Sequence, residues 1–317
     1  MTDTTTVPPL DPRKFRDPDL TLDGDRRARV ALERLETLWF DTGTLCNITC
    51  RHCYIESSPR NDRLAYLTVA EVRGYLDEIA RTRLPTREIG FTGGEPFMNR
   101  DLLAMLEDAL GRGFDVLVLT NAMRPMMRHI RRIERLAARY GRRLVLRVSL
   151  DHYDPAVHEM ERGPGTWAPA LAGLTALAAA GATVAVAGRT AWGETEASLH
   201  AGYARLFAAE GIPVDADDPA ALVLFPEMDD GRDVPEITER CWGLLGVEAR
   251  NLMCATSRMV VKRKGAARPA VVACTLIPYD VRFELGESLA AAHRSIPLNH
   301  PHCATFCVLG GASCSRA

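Results

Sequence analysis

The chain has 317 residues, of which 47% are apolar and 25% are charged, a balance typical of folded globular proteins. Its 39 basic and 41 acidic side chains give a net charge of −2, which does not indicate a nucleic-acid partner or an anionic membrane. No apolar run reaches the roughly 18 residues that a membrane-spanning helix needs. The polar, Pro-rich start MTDTTTVPPLDPRKF also lacks the apolar core of a secretory signal. We therefore expect a cytoplasmic protein, in which nine cysteines indicate metal ligands or reactive groups rather than disulfides.

Strand-like and helix-like patterns alternate along the chain after a lead-in, residues 1–35, that we expect to be partly disordered. The predicted strands are 36–43, 87–94, 114–121, 143–151, 182–190 and 220–226. The predicted helices are 67–81, 101–113, 126–141, 167–181 and 196–211. Such alternation is typical of parallel strands joined by crossover helices. Six units over residues 36–235 predict an α/β fold, a partial (β/α)6 barrel of the TIM type.

Polar motifs follow the predicted strands. Three cysteines, Cys46, Cys50 and Cys53, follow the first strand, and the run Gly93-Gly94-Glu95-Pro96 follows the second. The later strands end in the polar residues Thr120, Asn121, Ser149, Asp151, Arg189 and Thr190. Because barrels place their chemistry at the carboxyl ends of their strands, these motifs predict one site at that end.

The three cysteines have a C-x3-C-x2-C spacing, which is one ligand short of a tetrahedral zinc site. A [4Fe–4S] cluster also takes four ligands, so three thiolates leave one iron open to an external chelator. The amine and carboxylate of methionine are such a chelator. A zinc site completed by another ligand, such as His52, is the alternative.

These features resemble the radical S-adenosylmethionine (SAM) enzymes, whose signature is this cysteine loop after the first strand and a Gly-Gly-Glu-Pro motif after the second. The segment SLDHYDPAVHEMERGPGTW, 149–167, resembles the family's region after the fourth strand. The resemblance runs from about residue 36 to the C-terminus. It implies that an external donor such as flavodoxin or ferredoxin reduces the cluster. The SAM is then cleaved to a 5′-deoxyadenosyl radical that takes a hydrogen atom from the substrate.

The resemblance also implies roles for single residues. Cys46, Cys50 and Cys53 ligate three irons, and Gly93 and Gly94 let the backbone approach the methionine amine because they have no Cβ. The full set of expected SAM contacts is Gly93, Gly94, Glu95, Pro96, Asn121, Ser149, Asp151 and Arg162. Among them, Glu95 holds the ammonium group, Ser149 and Arg162 hold the carboxylate, and Asn121 reaches the ribose or methionyl end. Capping of the next helix by Ser149 and Asp151 is an alternative, as is a surface position for Arg162. His52 replaces the aromatic residue usual before the third cysteine, and its imidazole can stack beside adenine.

The six other cysteines lie in the last 77 residues, within 236–317. Residues 253–276 predict a hairpin with Cys254 and Cys274 at its base, and residues 302–314 hold three more cysteines. This region resembles the SPASM/Twitch extension of radical SAM enzymes, although the gap after Gly265 is long and the full SPASM spacing is absent. The resemblance implies one auxiliary [4Fe–4S] cluster on Cys254 and Cys274 plus two of Cys303, Cys307 and Cys314. A zinc ribbon and buried apolar cysteines are the alternatives.

The substrate expected is a small molecule such as a sugar, cyclitol or natural-product intermediate. An auxiliary cluster that accepts an electron favours net oxidation. A hydrogen-atom donor thiol favours epimerisation instead, and Cys241 is the candidate because neither cluster needs it; a core position is its alternative. Only 45 residues precede Cys46, so a peptide maturase would need a separate leader-binding partner. A non-catalytic iron–sulfur or zinc protein also stays open.

Overall fold

The computed structural model describes residues 8–227, 229 and 231–314. The strands are β1 (Arg29–Val30), β2 (Thr37–Asp41), β3 (Glu88–Thr92), β4 (Asp115–Thr120), β5 (Leu144–Ser149), β6 (Thr183–Arg189), β7 (Leu222–Phe225), β8 (Ser257–Val261), β9 (Ala270–Val272), β10 (Glu284–Gly286) and β11 (Ile296–Pro297). The α-helices are α1 (Val69–Thr82), α2 (Leu102–Gly111), α3 (Arg124–Met127), α4 (Ile130–Tyr140), α5 (Pro155–Arg162), α6 (Trp167–Ala179), α7 (Glu196–Glu210), α8 (Cys241–Leu245) and α9 (Met253–Thr256). No helix in these described ranges is long and apolar enough to cross a bilayer.

The main sheet confirms the predicted partial barrel. Strands β2 to β7 are parallel, and each pairs with the next one along the chain. Strand β8 pairs in parallel with β2 on the other side, and β9 and β10 continue the sheet antiparallel. The order is therefore β10-β9-β8-β2-β3-β4-β5-β6-β7, and the described strands do not close it into a full barrel.

The predicted hairpin is β8 and β9, with Cys254 just before it and Cys274 just after it. It lengthens the barrel sheet rather than forming a sheet of its own, so the two regions share a continuous hydrogen-bonded layer. The division at residues 235 and 236 stays a prediction.

Two apolar clusters lie on the two faces of the sheet, because neighbouring residues of a strand point to opposite faces. Leu38 and Phe40 belong to the large cluster that the barrel helices also supply, whereas Trp39 belongs to a smaller cluster on the other face. Phe306 and Cys314 join that smaller cluster. Part of the C-terminal region therefore packs on the face of the sheet opposite the barrel helices.

The predicted lead-in falls partly on residues 1–7, which lie outside the described residues, whereas residues 8–35 pack against the rest of the chain. Strand β1 pairs with β11, and Phe15 is buried. The buried Arg27 guanidinium forms a 2.6 Å ion pair with Glu236. These anchors come from distant parts of the chain, so no local periodicity reveals them.

Two helical expectations also need correction. The predicted helix 126–141 is two helices, α3 and α4, and helix α5 lies in a segment for which no helix was predicted. The cap of α5 is Asp154, whose carboxylate accepts hydrogen bonds from the backbone N–H groups of Ala156 and Val157 at 2.8 and 3.2 Å. Ser149 and Asp151 do not cap it, so that alternative is wrong.

Candidate active site

The three cysteines of the first loop lie on one cavity at the carboxyl ends of the barrel strands. The cavity has about 660 Å³ of empty space, including its open mouth. Five of the expected SAM contacts line it together with Cys46, Cys50 and Cys53: Gly93, Gly94, Asn121, Ser149 and Arg162. Glu95, Pro96 and Asp151 do not line it.

Each cysteine sulfur of this loop receives a hydrogen bond from a different part of the chain. Asn121 donates through Nδ2 to Cys46 Sγ at 3.8 Å, and Arg162 donates through Nη1 to Cys50 Sγ at 3.9 Å. The backbone N–H of Ser57 donates to Cys53 Sγ at 3.4 Å. Hydrogen bonds to sulfur stabilise thiolate ligands and tune the reduction potential of an iron–sulfur cluster. The donor set therefore fits a cluster held by three thiolates.

Burial disfavours free thiolates in this cavity. It raises the pKa of Cys46 to about 12 and also raises the pKa of Cys50 above its usual value. Metal binding deprotonates thiols and supplies the positive charge that the buried thiolates lack.

The two glycines after β3 are required by the cysteine loop that packs on them. A Cβ on Gly93, which has φ +133°, would lie 2.6 Å from the carbonyl oxygen of Gly43. A Cβ on Gly94 would lie 2.3 Å from the carbonyl oxygen of Leu45. Backbone hydrogen bonds join the two segments, from Gly94 to Gly43 at 2.9 Å and from Glu95 to Leu45 at 3.1 Å. The sequence analysis expects these two glycines to let the backbone approach SAM. In the structure they also let the backbone of the cysteine loop approach the end of β3.

Glu95 lies behind the cavity wall and joins the ends of β3 and β4. Its buried carboxylate accepts hydrogen bonds from Thr120 Oγ1 at 2.8 Å, Asn121 N at 2.8 Å and Phe97 N at 3.2 Å. Burial raises its pKa to about 7 against these hydrogen bonds. Its contact with the SAM ammonium group stays a prediction.

Arg162 is fixed by an ion pair and is not a surface charge. Its Nε lies 2.7 Å from Asp151 Oδ2, and its Nη2 donates to Asp151 Oδ1 at 3.0 Å. Burial alone would raise the pKa of Asp151, but Arg162 and Arg189 outweigh it and lower that pKa. Asp151 therefore acts as an ionised positioning group behind Arg162.

Glu161 is a site residue that the sequence reasoning missed. It is buried, and its carboxylate accepts from the backbone N–H of His52 at 2.9 Å and contacts His52 Nδ1 at 2.7 Å. Its carbonyl accepts from Arg51 N at 2.8 Å, and Arg189 Nη1 lies 3.7 Å from its Oε1. Glu161 thus attaches the cysteine loop to the end of α5. The available signal was an acidic residue directly before Arg162 in the same short segment.

His52 lies outside the cavity that the three cysteines line. It lines a separate surface hollow with Asp229 and His302. The expected stacking on adenine and the role as a fourth zinc ligand therefore have no support in its position.

Asp41, at the end of β2, is a second residue that the sequence reasoning missed. It is fully buried, and its Oδ1 accepts from Gly43 N at 2.8 Å. Its Oδ2 has no hydrogen-bond partner among the described residues. Burial raises its pKa to about 6. An acid at the end of the first barrel strand was the available signal.

Four C-terminal cysteines line a second, mostly apolar cavity with about 430 Å³ of empty space: Cys254, Cys274, Cys303 and Cys307. Cys303 and Cys307 are four residues apart on the π-helix Cys303–Leu309. Burial raises the pKa of Cys254 to about 12 and raises that of the other three.

Cys314 does not line this second cavity. It lies in the barrel interior, where its sulfur accepts a hydrogen bond from Thr275 Oγ1 at 3.4 Å. No group of three or more metal-ligating side chains in the described part of the chain is preformed around a single ion. A four-iron cluster holds its thiolates further apart than one zinc ion with Zn–S bonds of about 2.3 Å does.

The position of Cys241 does not support its expected role as a hydrogen-atom donor to the substrate. It begins α8, is half-buried against the large core cluster, and lines neither cysteine cavity. Its sulfur accepts from the backbone N–H of Thr238 at 3.3 Å.

Comparisons with known proteins agree with this site. The family model described as Radical SAM superfamily matches residues 41–198, about half of the chain. The antilisterial bacteriocin subtilosin biosynthesis protein AlbA of Bacillus subtilis is 31% identical over 124 residues, which cover 39% of this chain and only 26% of AlbA. The matched curated relatives are each covered over less than half of their length.

Two solved structures share the fold. SuiB of Streptococcus suis bound to S-adenosylmethionine has a TM-score of 0.57 at 10% identity, covering 80% of this chain and 63% of SuiB. Native anSMEcpe with bound AdoMet has a TM-score of 0.56 at 12% identity, covering 81% of this chain and 79% of that one. The predicted cofactors, a [4Fe–4S] cluster and SAM, are those of the matched family, and the four-cysteine cavity fits the predicted auxiliary cluster. The chain belongs to the radical SAM superfamily.

Proposed function

We propose that this radical SAM enzyme oxidises a small-molecule or natural-product substrate with the help of one auxiliary [4Fe–4S] cluster, in the cytoplasm. The observation that carries the proposal is the presence of two separate cysteine cavities. One has three thiols and room for SAM, and the other has four thiols. Three thiols leave an iron open to SAM, whereas four saturate a cluster and leave it suited to electron transfer.

When bound, the cluster and SAM would supply the radical chemistry that removes a hydrogen atom from the substrate. The residues of the chain bind and orient. Arg162, held by Asp151, presents a fixed guanidinium to the cavity, which suits the SAM carboxylate. Asn121 and Ser149 line the same wall and offer hydrogen bonds to the methionyl or ribose part.

The auxiliary ligands in this proposal are Cys254, Cys274, Cys303 and Cys307, the four that share a cavity. Of the last three cysteines, the proposal therefore takes Cys303 and Cys307 as ligands and treats Cys314 as a buried thiol. Oxidation is favoured over epimerisation because Cys241, the candidate hydrogen-atom donor, lines neither cavity.

A peptide substrate is the second candidate. AlbA is named for the biosynthesis of a bacteriocin, and it is among the matched relatives.

Anaerobic reconstitution with iron and sulfide tests the proposal. The wild type should hold about eight irons per chain, two four-iron clusters by thiolate count, and should form 5′-deoxyadenosine when reduced. Replacing Cys46, Cys50 and Cys53 by Ala should abolish 5′-deoxyadenosine formation and leave about four irons. Replacing Cys254 and Cys274 by Ala should also leave about four irons but keep the SAM cleavage that occurs without substrate.

SAM cleavage by the triple variant would disprove the assignment of the first site. Wild-type iron content in the double variant would disprove the auxiliary cluster. Zinc in place of iron in the purified wild type would favour the non-catalytic alternative.

A further inference from the structure

An arginine-rich surface lies on the outer layer of the barrel, which we call the basic face and define as residues 124–143. It comprises α3, α4 and the turn after them, and it contains eight arginines against one acidic residue, Glu134. Its net charge of +7 contrasts with the net charge of −2 of the whole chain. Seven of the arginines are exposed: Arg124, Arg128, Arg131, Arg132, Arg135, Arg139 and Arg142.

The charges of this face are poorly compensated within the molecule. Arg132 pairs with Glu107 at 2.9 Å, and Arg143 Nε lies 3.8 Å from Asp115 Oδ1. Arg143 also donates to the backbone carbonyls of Leu110 and Phe114. Four other arginines of the basic face have no acidic side chain within ion-pair distance among the described residues. They are Arg124, Arg128, Arg131 and Arg135. The pKa of His129 is lowered by burial and by Arg132 and Arg128, consistent with a positive local potential. Packing does not explain the arginines, because α4 buries Ile133, Leu136 and Ala137 instead.

One end of the basic face adjoins the cysteine triad. Met123, directly before Arg124, accepts a hydrogen bond through Sδ from Asn47 Nδ2 at 3.7 Å. Asn121 contacts both Asn47 at 2.9 Å and Cys46 Sγ at 3.8 Å. Arg124 and Arg128 therefore lie next to the segment that contacts the triad, whereas Arg135 and Arg139 lie two to three turns further along α4.

We propose that Arg124 and Arg128 dock an acidic one-electron carrier protein, which reduces the cluster held by Cys46, Cys50 and Cys53. This proposal rests on the proposed function, because that cluster must receive one electron for each SAM cleaved. The carrier loses one electron, the cluster gains it, and no bond is made or broken in the transfer. Charge complementarity speeds such encounters and orients them, and salt weakens both effects.

The chain offers two matched charge reversals. Arg124→Glu with Arg128→Glu changes the end beside the triad, and Arg135→Glu with Arg139→Glu makes the same change at the same spacing further away. The probe is a reduced flavodoxin, a small acidic carrier, mixed with the reconstituted enzyme by stopped flow. Bleaching of the cluster absorbance gives the reduction rate, and dithionite, which needs no protein docking, is the control reductant.

We expect the pair near the triad to lower the second-order rate with flavodoxin about tenfold or more at low salt. The distant pair should lower it less than about threefold, since the effect of a charge falls off over a Debye length of about 10 Å. Both differences should vanish in high salt, and reduction by dithionite should be unchanged in both variants.

Equal losses of the reduction rate in the two variants would show that the whole electrostatic field acts and not a local site, and would overturn the proposal. An unchanged rate in the variant near the triad would overturn it as well. Tight binding of a nucleic-acid polyanion, with unchanged flavodoxin kinetics in both variants, would assign the face to that partner and would also overturn the proposal. Flavodoxin binding, measured by fluorescence titration, needs no SAM cleavage. An inactive enzyme that still binds flavodoxin through Arg124 and Arg128 would therefore disprove the proposed function and leave the docking site standing.

Discussion

Gly94→Ala should disable the cluster site by displacing the cysteine loop. The new Cβ would lie 2.3 Å from Leu45 O and 2.7 Å from Thr44 O, both backbone atoms. The loop has to move by about 0.7 Å to restore even a 3.0 Å contact, and Leu45 directly precedes Cys46. Overpacking of this kind costs about 1–3 kcal/mol, and stretching the hydrogen bonds of Gly94 and Glu95 to this loop adds about 1 kcal/mol.

Gly74→Ala is the matched control for that substitution. Gly74 is exposed on α1, and nothing lies within 4 Å of its added Cβ, so the change should stabilise the chain by about 0.5–1 kcal/mol. Urea unfolding of the metal-free chain gives the two free energies, and iron analysis with 5′-deoxyadenosine formation gives the state of the site. We expect Gly94→Ala to lose roughly 2–4 kcal/mol, the sum of the two costs, together with the first cluster and SAM cleavage. Wild-type stability, iron content and SAM cleavage in Gly94→Ala would refute the packing argument.

Three further predictions concern titration, SAM binding and ligand choice. The pKa of Asp41 is raised by burial from 3.8 to about 6, so its proton stabilises the fold fully below pH 3.8 and that stability is lost as pH rises through about 6. Asp41→Asn should therefore gain up to about 3 kcal/mol relative to wild type between pH 4 and pH 7.5 in urea unfolding, and a pH-independent difference would contradict this. Arg162→Lys loses the paired contact with Asp151 and should raise the KM for SAM about tenfold while the iron content stays constant. Loss of iron in this variant would instead show that Arg162 mainly supports the cysteine loop. Cys307→Ala should leave about four irons per chain and Cys314→Ala about eight, and the reverse pattern would move Cys314 into the ligand set.

The barrel was predictable because its signals are local. Each parallel strand is a short apolar run, each crossover helix has its own periodicity, and the polar motifs follow the strands directly. Helix α5 has only eight residues, too few for a clear helical periodicity, although Asp154 followed by Pro155 is a helix start signal. The anchored N-terminal segment depends on pairs such as Arg27 with Glu236, which lie 209 residues apart, and no local pattern predicts them.

The candidate site was predictable to the level of residue sets but not of roles. The motif assigns Glu95 to SAM but does not reveal the hydrogen bonds that its oxygens accept from Thr120 and Asn121 at the end of β4. The proposed choice of Cys303 and Cys307 among the last three cysteines also has a signal in the sequence. Cys303 and Cys307 are four residues apart, the spacing that places two side chains on one helical face, whereas Cys314 follows a Gly-Gly turn.

The hydrogen bonds to the three sulfurs explain why the cysteine loop is a suitable place for a cluster before any metal arrives. Their donors come from the segment after β4, from the end of α5 and from the loop itself, so the loop is attached to the barrel at separate points. Glu161 adds a further attachment through the backbone of Arg51 and His52. A loop that is already ordered loses little conformational entropy when it binds a ligand, and more of the binding free energy then appears as affinity. The free-energy cost of the site instead lies in removing its charges and thiols from water. Opposite charges around the site offset part of this cost, and they form one network of four residues: Arg162, Asp151, Arg189 and Glu161.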